Sequence, residues 1–104
     1  GDQVHNWGSL RYNTYFTPTA ANVLFGWSHD IYGSQNSQDL SLNTRWIQFG
    51  AYSPIFRIHD KGQGTGGCAL GSNGCALPDI WTHPFRYFDI ERKAIQERAE
   101  LLPY

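Results

Sequence analysis

The pattern of hydrophobic and polar residues in this sequence is dominated by two short apolar runs, each of which is followed by polar residues. Residues 23–27 form a continuous apolar run that ends in the polar residues 28–30. A second run, residues 55–58, is apolar except for Arg57 and is followed by titratable side chains at positions 59 and 60. Short runs of this kind are typical of strands buried in parallel sheets, which place their chemistry at the carboxyl edge. The pattern therefore predicts two parallel strands with functional side chains at their ends.

A helix is predicted between these two strands, which makes the stretch a βαβ unit. It begins at about Asp39, whose carboxylate suits the positive end of a helix dipole, and it stops at Gly50. Leu42, Trp46 and Phe49 fall at positions i, i+4 and i+7 and form one apolar stripe. This spacing predicts that the helix buries one face against the sheet.

Two further helices are predicted, one on each side of this unit. The first begins at Thr17–Pro18, where a capping hydroxyl precedes a proline at the first helical position, and runs through Ala21 into the first strand. Before it, residues 7–15 are predicted to form a loop and a first helical piece. The other follows Trp81 and ends at Pro103. Its predicted apolar face consists of Phe88, Ile95, Ala99 and Leu102.

Residues 60–78 form a glycine-rich segment that holds both cysteines, Cys68 and Cys75. Their spacing does not fit the usual zinc patterns, and the scattered histidines of the chain do not complete one, so no metal site is predicted. The preferred interpretation is a loop-closing disulfide formed in an oxidising compartment. Two unrelated free thiols are the alternative.

Composition narrows the function classes. The net charge is −1 and the pI is about 6.4, which gives no support for a surface that binds nucleic acid or an anionic membrane. Aromatic residues make up 15% of the chain. They serve either core packing or, in a functional interpretation, the walls of a cleft that stacks sugar rings. No secretory signal and no transmembrane stretch is visible.

Three consecutive motifs resemble the core of glycoside hydrolase family 31, which contains α-glucosidases and α-xylosidases built on a (β/α)8 barrel. They are Trp27–Gly33, Arg45–Tyr52 and Pro54–His59, in the order of the family and at close to its spacing. The opening Gly1-Asp2 and the closing Leu101-Leu102-Pro103-Tyr104 match its flanking motifs. The likeness covers nearly the whole chain.

The resemblance implies an α/β fold in which this chain is only part of a barrel. A complete (β/α)8 TIM barrel needs about 250 residues, whereas this sequence has 104. We expect residues 1–104 to form about the last three βα units of the catalytic barrel, with a cysteine-containing loop insertion at about residues 60–80. Such a fragment is expected to be incomplete on its own, and the sequence looks cut at both ends.

Asp2 is the catalytic residue that the resemblance implies. Glycosidic cleavage normally uses two carboxyl groups, which lie about 5–5.5 Å apart in retaining enzymes. Asp2 matches the Asp of the family's Gly-Asp pair, followed here by Trp7 and Leu10, and we expect it to act as the general acid/base. The family takes its nucleophilic Asp from an earlier strand, upstream of Gly1. The remaining candidate carboxylates are predicted to lie on a solvated outer helix face; they are Glu91, Glu97 and Glu100.

Asp30 corresponds to the Asp of the family's Asp-Ile-Gly-Gly motif, and the resemblance implies that it lines the sugar-binding subsite. An ionised carboxylate can accept two sugar hydroxyls or hold a neighbouring basic side chain. The alternative is a purely structural role, as a helix cap or in a buried pair with Arg57. Tyr32 stands where the family usually has its first Gly, so the wall of the subsite is expected to differ.

His59 matches the family's histidine on the last strand, which hydrogen-bonds the bound sugar. Its neutral imidazole offers one donor and one acceptor for a hydroxyl. Arg57 is expected to form an ion pair with Asp30 or Asp60. Trp27 is a candidate wall of the sugar site or a core residue, as is His29.

The function that follows is part of a retaining α-glycosidase that cleaves α-linked glucosides or related sugars through a covalent glycosyl-enzyme. The expected partners are an α-linked oligosaccharide and the remainder of the barrel, with no cofactor, nucleic acid or membrane. From the preferred disulfide, we expect the protein outside the cell or in the lumen of the secretory pathway. Two alternatives stay open: a non-catalytic carbohydrate-binding or regulatory relative, and an unrelated small disulfide-bonded module.

Overall fold

A computed structural model describes residues 4–23, 27–31, 39–58 and 80–103. These residues contain three α-helices and one short 3-10 helix. The α-helices are α1 (Trp7–Val23), α2 (Leu40–Gly50) and α3 (Phe85–Leu101), and the 3-10 helix is Ile80–Thr82. Helix α2 packs against both α1 and α3. The described chain is therefore arranged around α2.

The prediction for α2 is confirmed. Asp39 is its N-cap, and the Oδ1 of Asp39 accepts a hydrogen bond from the backbone N–H of Leu42 at 3.0 Å. This bond satisfies a donor that the first turn of a helix leaves without an intrahelical partner. Leu42 and Trp46 are almost fully buried, Phe49 is partly buried, and the helix ends at Gly50 as expected.

The start of α1 is tied to the start of α2 by two side-chain hydrogen bonds. The indole N–H of Trp7 donates to Oδ2 of Asp39 at 3.0 Å. His5 Nε2 donates to Oδ1 of Asn43 at 2.7 Å, and its ring stacks on Trp46 with the centroids 5.4 Å apart. Burial lowers the pKa of His5 below its usual value. These contacts fix where α1 crosses α2.

A side chain at position 50 would crowd Ile31, which lies directly against the backbone there. A Cβ atom on Gly50 would come within 2.5 Å of Ile31 Cδ1. Ile31 is fully buried, forms a parallel β-bridge with Ile58, and donates its N–H to the carbonyl of Arg57 at 2.9 Å. The close approach therefore connects the end of α2 to the paired residues.

The predictions for the N-terminal third were wrong in two respects. The helix begins at Trp7, where the side chain of Asn6 caps it by accepting from the N–H of Ser9 at 2.8 Å, and Pro18 lies in its interior. Val23, predicted to begin a strand, is the last residue of α1 and is 75% exposed. A short apolar run does not by itself separate a strand from a helix end, and the helix extended into it. Residues 24–26 lie outside the described part.

The strand predicted at residues 55–58 is reduced, in the described part of the chain, to the single bridge between Ile31 and Ile58. The described ranges contain no named strand, so they do not show the predicted βα units. A strand exists only through hydrogen bonds to a neighbouring strand, and the pairing described here is one residue long.

Helix α3 was predicted correctly as an element but with the wrong buried face. It ends just before Pro103, as expected. Its buried residues are Glu91 and Ala94, whereas Leu102 is 71% exposed. Phe88 and Ile95 are half-buried and Ala99 is exposed. The face of α3 that meets α2 is therefore not the predicted apolar face, and it includes the polar residue Glu91.

The core of the described chain lies where the three helices meet. Its buried hydrophobic members are Leu10, Ile31, Leu42, Trp46, Ile47, Ala51 and Ala94. Four of these seven belong to α2 or directly follow it, which explains why this helix organises the rest. Within the described ranges, no helix is long and apolar enough to cross a membrane.

Candidate functional site

Asp30 and Arg57 form the centre of the candidate site. The Nε of Arg57 lies 3.0 Å from Oδ1 of Asp30. The side chain of Asp30 is 2% exposed and that of Arg57 is 53% exposed. The prediction that Arg57 pairs with Asp30 or Asp60 is thus met by Asp30. The same pair is the one named above as the structural alternative for Asp30, so the role of Asp30 in sugar binding stays a prediction. The pair presents a guanidinium to solvent and keeps its carboxylate inside.

The backbone of Asp30 is held in the left-handed region, with a φ of 44°. This conformation costs a residue with a side chain on the order of 1–2 kcal/mol, although Asp and Asn tolerate it better than most residues. Ile31, the next residue, is fixed by its bridge to Ile58 and by its contact with Gly50. The surrounding packing therefore imposes the backbone geometry that aims the Asp30 carboxylate.

His29 fastens the residue before Asp30 to the core through both ring nitrogens. Its Nδ1 accepts from the indole N–H of Trp46 at 3.0 Å, and its Nε2 donates to Oγ of Ser53 at 2.7 Å. The Ser53 hydroxyl in turn donates to the carbonyl of Phe49 at 3.2 Å. This order of donors requires a neutral imidazole with its proton on Nε2.

Burial lowers the pKa of His29 to about 4, against a raising effect from the neighbouring Asp30 carboxylate. The ring is 1% exposed, so the charged form loses its hydration. Above this value His29 is neutral, as its hydrogen bonds require. Of the two interpretations left open for His29, wall or core residue, the structure supports the core residue.

Trp27 is packed against α1. Its indole N–H donates to Oγ1 of Thr17 at 3.1 Å, and its ring meets that of Phe16 edge-on with the centroids 4.7 Å apart. Within the described ranges, the side-chain hydrogen bond and the ring contact of Trp27 are both made with α1. The structure therefore does not bring this predicted wall residue to the pair.

The pair can bind a polar neutral ligand from its Arg57 side. The salt bridge uses Nε, and more than half of the Arg57 side chain is exposed. A guanidinium offers five N–H donors in a fixed plane and no acceptor, so exposed donors suit hydroxyl oxygens. Ser28 Oγ donates to Oδ1 of Asp30 at 3.4 Å, which adds a second contact to the buried carboxylate.

Several predicted site residues lie outside the described ranges. They are the acid/base candidate Asp2, the sugar-binding candidate His59, the position Tyr32, and the cysteines Cys68 and Cys75. Their predicted roles and the predicted disulfide stay predictions.

A buried polar cluster that the sequence analysis missed joins α2 and α3. Oε1 of Glu91 accepts from the hydroxyl of Thr44 at 2.8 Å, and Oε2 of Glu91 accepts from Nδ1 of His83 at 2.7 Å. Glu91 is fully buried and His83 is 8% exposed. The expectation that Glu91 lies on a solvated face was wrong, whereas Glu97 and Glu100 are exposed as expected.

The signal for this cluster was present but weak. Glu91, Ala94 and Arg98 follow one another at spacings of three and four along α3, which places them on one helix face. A stripe made of an acid, an alanine and a base is not recognisable as a core-facing stripe by hydrophobicity. The burial of Glu91 becomes favourable only through Thr44 and His83, which lie outside α3.

The comparisons with known proteins agree with the motifs. The family model for the glycosyl hydrolases family 31 TIM-barrel domain matches residues 1–104. Neutral alpha-glucosidase AB of Sus scrofa is 35% identical over 75 residues, covering 72% of this chain and 7% of that protein. Neutral alpha-glucosidase AB of Homo sapiens is 32% identical over 108 residues, covering 100% of this chain and 10% of that protein. Neutral alpha-glucosidase C of Mus musculus is 27% identical over 106 residues, with the same coverage.

This chain belongs to glycosyl hydrolase family 31. The resemblance identified from its motifs is therefore confirmed. The family supports a fragment of a (β/α)8 barrel as the fold. The chain spans about a tenth or less of the length of the relatives it matches.

Proposed function

We propose that this chain is part of the catalytic barrel of a retaining α-glycosidase that hydrolyses α-linked glucosides or related sugars. The match to the family over residues 1–104 and the similarity to neutral alpha-glucosidases support the reaction class. The structural observation that carries the proposal is the Asp30–Arg57 pair. The backbone of Asp30 is left-handed and its carboxylate is buried, and this carboxylate holds the guanidinium of Arg57, which faces solvent. In this proposal the chain forms about three βα units of the barrel, and these units carry the subsite.

The proposed mechanism divides two carboxyl roles between this chain and an earlier strand of the barrel. Asp2 protonates the departing glycosidic oxygen, and after the aglycone leaves it removes a proton from the attacking water. The nucleophile is an Asp outside this sequence, which forms and then releases the covalent glycosyl-enzyme. This assignment follows the two-carboxylate mechanism of retaining glycosidases.

The proposed sugar subsite combines Arg57, Asp30 and His59. The exposures in the pair favour Arg57 as the residue that meets a sugar hydroxyl first, while Asp30 holds the plane of its guanidinium through Nε. A direct contact of Asp30 with the sugar needs its 2%-exposed side chain to be uncovered. His59 supplies one donor and one acceptor. Trp27 acts through packing on Thr17 and Phe16.

The test of the mechanism is Asp2→Asn in the intact protein, with Asp89→Asn as the matched control. Asp89 is a carboxylate on α3 that pairs with Arg92 and Lys93. We expect Asp2→Asn to lower kcat/KM on an unactivated disaccharide by about 10²–10⁴-fold, the usual contribution of general acid/base catalysis. For an aryl glucoside with a good leaving group, we expect a much smaller fall in kcat/KM, because that leaving group departs without being protonated.

Azide provides the second measurement for Asp2→Asn. A small anionic nucleophile needs no general base, so azide is expected to accelerate turnover of the aryl glucoside and to give a glycosyl azide with the anomeric configuration of the substrate. Full activity of Asp2→Asn on the disaccharide removes Asp2 from the mechanism. An intact protein that binds the sugar without hydrolysing it supports the non-catalytic relative instead.

A further inference from the structure

Arg98 on α3 binds the main chain that follows α2. Its Nη1 donates to the carbonyls of Ala51 at 3.0 Å and Ser53 at 2.7 Å, with Gly50 O at 3.5 Å, and its Nη2 donates to Pro54 O at 3.3 Å. We call residues 50–54 the Ser53 turn. One guanidinium from a different helix thus holds the whole turn.

The chemistry of a helix end explains why an arginine suits this position. The last carbonyls of a helix have no intrahelical partner and carry the negative end of the helix dipole. A planar guanidinium satisfies several of them at once, which the compact ammonium of lysine does not. Arg98 therefore closes α2 in place of a capping side chain of its own, and Gly50 and Ala51 supply the oxygens.

The Ser53 turn is connected to Asp30 through His29. Nε2 of His29 donates to Oγ of Ser53 at 2.7 Å, while Arg98 binds the carbonyl of the same serine. His29 directly precedes Asp30, whose backbone has a φ of 44°. The turn thus restrains the residue on which the geometry of Asp30 depends.

Arg98 also contacts Phe56, the residue before Arg57. The guanidinium of Arg98 lies over the ring of Phe56, 5.5 Å from its centroid, a cation–π geometry. Phe56 directly precedes Arg57, and the carbonyl of Arg57 accepts the N–H of Ile31 at 2.9 Å. Both halves of the candidate pair therefore follow residues that contact Arg98 or the Ser53 turn.

We propose that Arg98 is a positioning residue for the Asp30–Arg57 pair, acting through the Ser53 turn. This inference rests on the proposed function of that pair as part of a sugar subsite. Arg98 does not touch the pair itself; it fixes the two backbone segments that carry Asp30 and Arg57 relative to each other. Removal of the Arg98 side chain therefore alters the binding of the substrate as well as the stability of the fold.

The experiment is a double-mutant cycle in the intact protein, with kcat and KM measured on an α-glucoside well below the unfolding temperature. The variants are Arg98→Met, Arg57→Met and the double variant. We expect each single variant to lower kcat/KM by about tenfold or more. If Arg98 acts through Arg57, the double variant is no worse than Arg57→Met alone, because coupled residues are not additive.

The matched control is Arg92→Met on the same helix. Arg92 pairs with Asp89, and its side chain is 47% exposed. This variant is expected to leave kcat/KM within twofold and to combine additively with Arg57→Met. Arg98→Lys keeps the positive charge without the planar fork, and we expect it to fold and to retain the kinetic defect in part. It replaces Arg98→Met in the cycle if that variant does not fold.

The outcomes separate this inference from the proposed function. If neither Arg57→Met nor Asp30→Asn lowers kcat/KM, the sugar subsite is wrong, whatever Arg98 does. If both lower it while the Arg98 variant changes only the unfolding temperature, the positioning role is overturned and the subsite stands. The same conclusion follows if the losses of Arg98 and Arg57 multiply, since independent effects are additive in free energy.

Discussion

At the scale of single residues, His29 shows how a side chain next to a candidate binding residue is fixed without contacting the ligand. It accepts from Trp46 and donates to Ser53, so both nitrogens are used in one tautomer. Protonation at Nδ1 would place two donors against each other and break the bond from Trp46. The neighbouring Asp30 then loses one of the restraints on its left-handed backbone.

The stability of the protein is expected to fall in mild acid because of His29. Its pKa is lowered to about 4 in the folded state, whereas an unfolded His titrates at about 6.5. Between these values the unfolded state binds more protons, so the free energy of unfolding decreases as pH falls through this window. The expected loss is on the order of 1–3 kcal/mol, from about 1.4 kcal/mol per unit of pKa shift.

The measurement compares the wild type with His29→Gln at about pH 7 and about pH 4.5, by the midpoint of unfolding. A glutamine can accept from Trp46 and donate to Ser53 but does not titrate, so this variant is expected to lose less stability in acid. His5, whose pKa is also lowered, is present in both proteins and cancels in the comparison. Equal losses in the two proteins rule out His29 as the responsible group.

At the scale of secondary-structure elements, α2 and α3 are joined by a buried polar cluster in place of a purely apolar interface. Glu91 reaches Thr44 on α2 and His83 before α3. A buried carboxylate is tolerated only when hydrogen bonds replace its hydration. The packing of α3 against α2 therefore depends on partners from two other parts of the chain.

Removal of Glu91 is expected to destabilise the protein strongly. Glu91→Ala leaves the buried groups of Thr44 and His83 without their acceptor, at a cost of about 1–3 kcal/mol for each. Glu91→Gln keeps an acceptor for Thr44 and should cost less. The control is Glu100→Ala on the exposed side of α3, expected within about 0.5 kcal/mol of wild type. Denaturant unfolding measures all three, and similar losses for Glu91→Ala and Glu100→Ala contradict the structural role.

The element predictions succeeded where the signal is local. The cap at Asp39, the apolar stripe of α2 and the stop at Gly50 all depend on residues within one helix, so they could be recognised in sequence. The predicted start of α1 was wrong because the actual cap is Asn6, just before Trp7. Thr17-Pro18 has the sequence of a helix start but lies inside the helix. Pro18 cannot donate to the carbonyl four residues earlier, a loss that the helix accommodates in its packed context.

At the scale of the whole molecule, large apolar side chains remain exposed on the described helices. Val23, Phe85 and Leu102 are each more than 70% exposed, as is Trp81 next to α3. Scattered exposed hydrophobic residues are normal, but several on packed helices fit a chain whose helices meet further parts of a barrel. We propose the remainder of the (β/α)8 barrel as the partner that covers them.

The predicted disulfide also belongs to this scale, because it bears on where the protein resides. We expect Cys68 and Cys75 to be bridged in the native protein, and we propose an extracellular location or the lumen of the secretory pathway. A thiol reagent applied to the unfolded, unreduced protein should label neither cysteine, and reduction should expose both to the reagent. Labelling of both before reduction contradicts the bridge and removes the argument for this location.

The sequence by itself determined the family and the bounds of α2, because these depend on short patterns of residue type. Only the tertiary structure decided that Glu91 is buried and that the Arg57 side of the pair faces solvent while Asp30 does not. It also placed Arg98 on the carbonyls of the Ser53 turn. These features arise from contacts between residues far apart in the chain, and burial depends on what an element packs against as well as on its own sequence.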